Sequence, residues 1–232
     1  MRRRLTHYPL CPHSRSIRLS LQELRLDFDL IDEKPWAWRP SFLAVNPSGA
    51  LPILELEQSL AICGAYAISE YLAETYPSHP FDRGPSPIMP GNFEAKAEIR
   101  RLVDWFHLKF HQEVTREILH EKHYSRLSAE QSSAPNPEVL RAVARNQRYH
   151  LNYICFLVDH RSWLAGNDLS FADLAAAAHI SILDYLGEID WRDYPSASEW
   201  YLRLKSRPCF IPILEDYLPN QPPSQHYKDP DH

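Results

Sequence analysis

The spacing of apolar residues divides the chain into short strands and longer helices. Leu5 to Tyr8 is a brief apolar run that predicts a strand. Between Ser14 and Arg25 the apolar positions Ile17, Leu21 and Leu24 fall at i, i+4 and i+7, which predicts a helix. Phe28 to Ile31 predicts a second strand, and Ile53–Leu56 and Leu60–Ile62 predict two more. Helical character returns over Ala65 to Thr75. Residues 77 to 91 then gather Pro77, Pro80, Pro85, Pro87 and Pro90, which cannot continue a helix or a strand. From Phe93 the pattern is helical. Ile99, Leu102, Phe106, Phe110 and Val114 form one stripe, and Leu140, Val143, Leu151, Ile154 and Val158 another. Leu174 to Leu186 is apolar on most sides, so it is expected as a central buried helix. Ser170 and Asp173 stand at its N-cap and N3, where each can satisfy a backbone amide. A last helix is expected near Ser196 to Ser206, with Trp200 and Leu204 on it. The chain changes character at Pro208, and its prolines predict an extended, polyproline-like tail.

The order β-α-β, an irregular stretch, then β-β-α is that of a thioredoxin-like domain. The expected fold is therefore α/β plus all-α. It comprises a thioredoxin-like domain over 1–77, a Pro-rich linker over 78–92, an all-helical domain over 93–212 and a Pro-rich tail over 213–232. With 232 residues, 44% of them hydrophobic, the chain can bury a full core. A net charge of −5 gives no reason to expect nucleic-acid binding, and the run Arg2-Arg3-Arg4 is too short to change that. No apolar run reaches the ~18 residues of a membrane span. The N-terminus lacks the apolar stretch of a secretory signal, so a cytoplasmic location is expected. Cys11, Cys63, Cys155 and Cys209 form no C-x-x-C pair and are expected as isolated thiols.

Several residues are candidates for chemistry. Cys11-Pro12-His13-Ser14-Arg15 lies where the first strand meets the first helix. Amides at a helix N-terminus can stabilise a thiolate there. Tyr8 sits beside it and is also read as a simple strand aromatic. His107 and His111 are four apart and could share a metal, but no third ligand stands at a supporting spacing. They are expected as solvated histidines, and no metal is expected. The run Glu113 to Lys122 carries both signs of charge, as an exposed helix would. Pro35-Trp36-Ala37-Trp38-Arg39-Pro40 places two tryptophans in an irregular stretch. These are residues that often anchor interfaces, and one of them is expected to pack back onto the domain.

Taken together, these segments resemble the glutathione transferase superfamily from residue 5 to about 212. Asn46-Pro47-Ser48-Gly49-Ala50-Leu51-Pro52-Ile53 is similar to the family's N-P-x-G-x-V-P, which implies a cis bond before Pro52. Ser59 to Leu72 resembles L-x-E-S-x-A-I-x-x-Y-L, and Ser170/Asp173 resembles the family's S/T-x-x-D box. In that family the Glu-Ser pair holds the γ-glutamyl end of glutathione. Gly64-Ala65 stands there instead. Each charge-assisted hydrogen bond lost is worth roughly 1.5–3 kcal/mol, so the resemblance predicts weak or no glutathione binding. C-P-x-S-R resembles the cysteine-type transferases. The alternative reading is therefore a glutathione transferase or thiol reductase using Cys11, and glutathione is a cofactor only in that case. The first reading leaves Cys11 as a vestige, with no catalysis and no cofactor.

A narrower resemblance lies with transferase-like division proteins of alphaproteobacteria, which bind filaments of the tubulin homologue FtsZ. It rests on Arg101–Phe106, Phe110–Arg116, Trp163–Gly166, Lys205–Pro208 and the terminal Pro-Pro-x-x-His-Tyr-x-Asp-x-Asp. Cys11 departs from that group, where a serine is expected. The resemblance implies a noncatalytic homodimer at the division site, binding FtsZ filaments and regulating division. Trp36 and Trp38 are the expected apolar anchors, and His226, Tyr227, Asp229 and Asp231 the tail element that meets the partner.

Overall fold

The computed structural model describes residues 3–56, 60–77, 87–127 and 134–229. The N-terminal part is a mixed sheet with β1 (Arg3–His7), β2 (Phe28–Asp32), β3 (Ile53–Glu55) and β4 (Ala61–Cys63) in the order β2-β1-β3-β4. β1 runs parallel to β2, with Leu5 opposite Leu30, and antiparallel to β3, with Leu5 opposite Leu54. A parallel pair needs a crossover, and α1 (Pro12–Glu23) supplies it. The stretch expected to be irregular contains a short 3₁₀ turn at Pro35–Ala37 and the helix α2 (Pro40–Val45). Each starts on a proline, whose fixed φ and missing N–H suit the first turn. The Leu51–Pro52 bond is cis. α3 (Ala65–Thr75) follows β4.

The second part is helical. α4 (Phe93–Asp104) passes without a break into a π-helical segment, Trp105–Thr115, and then into α5 (Arg116–Lys122). The predicted stripe Ile99, Leu102, Phe106, Phe110 and Val114 is buried along this helix. α6 (Pro137–His160) and α7 (Phe171–Leu186) come next, and α7 is buried on nearly every side, as its composition predicts. At its start the Asp173 carboxylate accepts from Ser170 N and Oγ, Leu164 N and Trp200 Nε1 at 2.9–3.0 Å. α8 (Pro195–Lys205) and the short α9 (Ile211–Leu214) complete the helices among the described residues. One continuous core runs from Leu5 and Ile17 in the sheet domain to Phe106, Ala175 and Trp200 in the helical one. No described helix is long and apolar enough to cross a membrane.

The tail is not extended, contrary to expectation. Ser224 N donates to the Tyr185 carbonyl, Ser224 Oγ to that of Asp184, and Tyr185 Oη to that of Gln221. Tyr227 is 0% exposed, edge-on to Tyr185, and donates to the Ile213 carbonyl at 3.0 Å. Prolines restrict φ but leave the residues between them free to dock, and a tyrosine with a carbonyl partner is well suited to burial. Of the expected linker, residues 78–86 lie outside the described residues. Ile88 and Met89 are buried, and Ile88 accepts from Phe171 N at 2.7 Å.

Candidate functional site

The turn between β1 and α1 is the centre of the candidate site. Cys11 is the N-cap of α1, and its Sγ accepts from Ser14 N at 3.4 Å. Burial pushes its thiol up, against the weaker pull of the Ser14 and His13 amides and of Arg15. The thiol is therefore protonated near neutral pH, the reverse of what a nucleophile at this position needs. Tyr8 is also committed elsewhere. Gln221 Oε1 can only accept, so His123 Nδ1–H donates to it at 2.6 Å. His123 Nε2 then accepts the Tyr8 hydroxyl proton, also at 2.6 Å. Burial raises the Tyr8 pKa as well.

Beside this turn lies a largely apolar cavity of about 430 Å³, lined by His13, Leu51, Gly64, Ala65, Asp104, His107 and neighbours. The N-terminus of α3 forms one wall. Gly64 is its N-cap at φ +90°, ψ 141°, a conformation that L-residues rarely adopt, and no side chain caps the helix there. The two positions that the motif resemblance would assign to a γ-glutamyl group thus present bare backbone and a methyl.

The opposite side of the same turn is polar and buried. Arg15, fully buried, donates to the Pro9 carbonyl at 2.6 Å, to Ser181 Oγ at 2.8 Å and to Asp216 at 3.2 Å. Arg18 reaches the same Asp216 oxygen at 2.8 Å and the Pro212 carbonyl at 2.9 Å. The guanidinium of Arg15 also lies 6.0 Å from the Tyr227 ring centroid, which ties the tail to the turn.

The expected contact residues separate into two groups. Trp36, 36% exposed, packs edge-on to Tyr8 with centroids 4.8 Å apart, and against Tyr124 at 5.4 Å. Trp38, at φ +46° and 62% exposed, lies over Gly49, where a Cβ would come within 3.0 Å of the ring. So one tryptophan packs back and the other faces solvent. His226 and Asp229 are on the surface, Tyr227 is inside, and Asp231 lies outside the described residues.

His107 and His111 are not solvated. The helix turns them inward, and α1 and α7 bring His13 and His179 to them. His107 Nδ1 lies 3.1 Å from His179 Nε2, Ser16 Oγ 3.2 Å from His107 Nε2, and Thr115 Oγ1 2.9 Å from His179 Nδ1. Burial holds all four imidazoles below the ordinary histidine value, His111 at about 3. Sequence spacing could not show this set, because His13 and His179 come from distant helices. The π-helical segment beneath it, of a type frequent at functional sites, has no signature in the apolar pattern.

Comparison with known proteins places this geometry in a family. Residues 5–83 match the family model for the glutathione S-transferase N-terminal domain, and 108–208 that for its C-terminal domain. The chain is 43% identical to FtsZ-localized protein A of Caulobacter vibrioides, over 99% of this chain and 98% of that protein. Among solved structures it is similar to FzlA from C. crescentus, with a TM-score of 0.93 and 42% identity over the whole of both chains. It is as similar to a glutathione S-transferase from Sinorhizobium meliloti, with a TM-score of 0.94 and 43% identity over the whole of both chains. Over both halves and in its overall geometry, the chain belongs to the glutathione S-transferase family.

Proposed function

We propose that this chain is a noncatalytic transferase-fold protein that binds FtsZ filaments at the division site and regulates bacterial cell division. The observation that carries the reading is the 43% identity, end to end, to a protein whose name places it with FtsZ. The site supports the noncatalytic part. At Gly64 and Ala65 its α3 wall offers no polar side chain, Cys11 is held protonated, and the Tyr8 hydroxyl is given to His123. A cytoplasmic homodimer belongs to the same proposal, since a two-fold pair would present each contact surface twice along a repeating filament. Trp38, His226 and Asp229 are the exposed members of the expected contact set and the first to test.

The test is co-sedimentation with FtsZ polymerised in GTP, with a parallel glutathione titration. Pelleting with filaments, lost in the Trp38→Ala and His226→Ala/Asp229→Ala variants, is the expected result. Absence of pelleting, with saturable glutathione binding, would overturn it. That outcome would favour the second reading, a cysteine-type transferase or thiol reductase. Its support is the N-cap position of Cys11, with an amide aimed at Sγ. Glutathione-agarose retention lost in Cys11→Ala would establish it.

A further inference from the structure

We infer that His13, His107 and His179 form a binding site for a divalent transition-metal ion, zinc being the natural occupant, at the junction of the two domains. One ring nitrogen from each lies within 4.8 Å of the others. Zinc–imidazole bonds of about 2.0–2.1 Å put the nitrogens of a tetrahedral set roughly 3.3 Å apart. The His107–His179 pair, at 3.1 Å, already has that separation, and His13 needs to close by up to about 1.5 Å.

The surroundings are those of a ligand set. Metal-bound histidines hold their other ring nitrogen with an oxygen partner, which fixes ring and tautomer. Ser16 Oγ gives its only proton to the His13 carbonyl, so it must accept from His107 Nε2–H, which leaves the Nδ1 lone pair free toward His179. His179 Nδ1 faces Thr115 Oγ1 at 2.9 Å. In the metal-free chain, His179 Nε2–H points at His107 Nδ1. Loading the ion moves that proton to Nδ1 and turns the Thr115 hydroxyl from donor to acceptor, with no net proton released. His111 adjoins the set, its ring centroid 4.7 Å from that of His13 and 5.7 Å from that of His179. Its Nδ1 is buried with no hydrogen-bond partner among the described residues, which makes it a candidate for a fourth position. His13 and His107 also line the 430 Å³ cavity, with Asp104 on the same wall. A fourth position left open would therefore face a space large enough for a small donor ligand.

A hydrogen-bonded chain from Ser16 through His107 and His179 to Thr115, with no metal, is the competing account of the same contacts. Titration of the full chain, stripped with chelator and carrying no histidine tag, separates the two. Zinc is followed by calorimetry and cobalt by its visible absorption. The expected result is one equivalent bound, with the intense cobalt bands of a tetrahedral site, and a loss of at least tenfold in affinity for both His179→Asn and His13→Gln. His13 is only partly buried, so its variant keeps the test open should His179→Asn fail to fold. Exposed His120→Gln is expected to leave binding unchanged. Failure to bind, or binding that survives His13→Gln in the folded protein, would overturn the site and leave the hydrogen-bonded chain.

Discussion

The two sides of the β1–α1 turn are built oppositely. On one, the cavity wall carries Gly64-Ala65 where the motif resemblance implies a carboxylate and a hydroxyl. On the other, Arg15, Arg18, Ser181, Asp216 and Tyr227 form a dense buried network. Both begin from the same residues, 8 to 18. The difference teaches that the scaffold's integrity and its ligand chemistry are separable. The network needs only groups of this chain, whereas side chains at the wall would have no partner within it. Losing the wall costs the fold nothing, while losing the network leaves charge buried and unmatched.

The comparison can be broken, or sharpened, at five points. The largest effect is expected from acid. Burial holds His7 at about 4 and His111 at about 3, and holds His13, His107 and His179 below the ordinary value. Between pH 6.5 and these lowered values the unfolded chain binds more protons than the folded one. Stability is therefore complete above pH 6.5 and falls as the pH drops toward 4 and below, by on the order of several kcal/mol in total. Urea midpoints at neutral and acid pH will show it, and a flat profile would mean that these imidazoles are wet.

Arg15→Ala comes next. Removing one partner from a buried ion pair costs about 3–5 kcal/mol, readable as a large drop in urea midpoint. A loss below about 1 kcal/mol would dissolve the contrast between the two sides. Tyr227→Ala is expected to cost about 3 kcal/mol or more through the void it leaves, and Tyr227→Phe about 1 kcal/mol for the bond to Ile213. A Tyr227→Ala protein with wild-type stability but lost FtsZ pelleting would return this residue to the contact surface.

The wall itself is tested by Gly64→Glu with Ala65→Ser. A Cβ at Gly64 meets nothing within 4 Å, so only its positive φ resists, at about 1–3 kcal/mol. Each restored contact is worth roughly 1.5–3 kcal/mol toward glutathione, and retention on glutathione-agarose should appear. The smallest change is kinetic. Because burial raises the Cys11 pKa, its alkylation by iodoacetamide should be slow at neutral pH and accelerate only in the alkaline range. Fast reaction at pH 7 would revive it as a nucleophile.

Most of the fold was legible in the pattern of apolar positions. The stripe from Ile99 to Val114, the buried α7 and the Ser170–Asp173 box depend on neighbours within a few turns, and local spacing records such neighbours. The cavity wall was legible for the same reason, since Gly64-Ala65 interrupts a local motif. The histidine set was not, because its outermost members, His13 and His179, are 166 residues apart and each alone resembles a surface histidine. Arg15 gave no sign of burial either, since its justification lies in Asp216. Tyr227 sits among prolines that suggest a free tail, and its pocket is assembled from α7 and α9.

That last arrangement has a bearing on biosynthesis. Arg15 and Asp216 are 201 residues apart in the chain. At about 5–20 residues per second, the arginine waits some 10–40 seconds on the ribosome before its carboxylate exists. Throughout that interval the emerged sheet domain carries a charge that belongs indoors, and Tyr8 lacks the His123–Gln221 relay that closes over it. The N-terminal half is thus a nascent chain with an unfinished face until Asp216 and Gln221 are delivered.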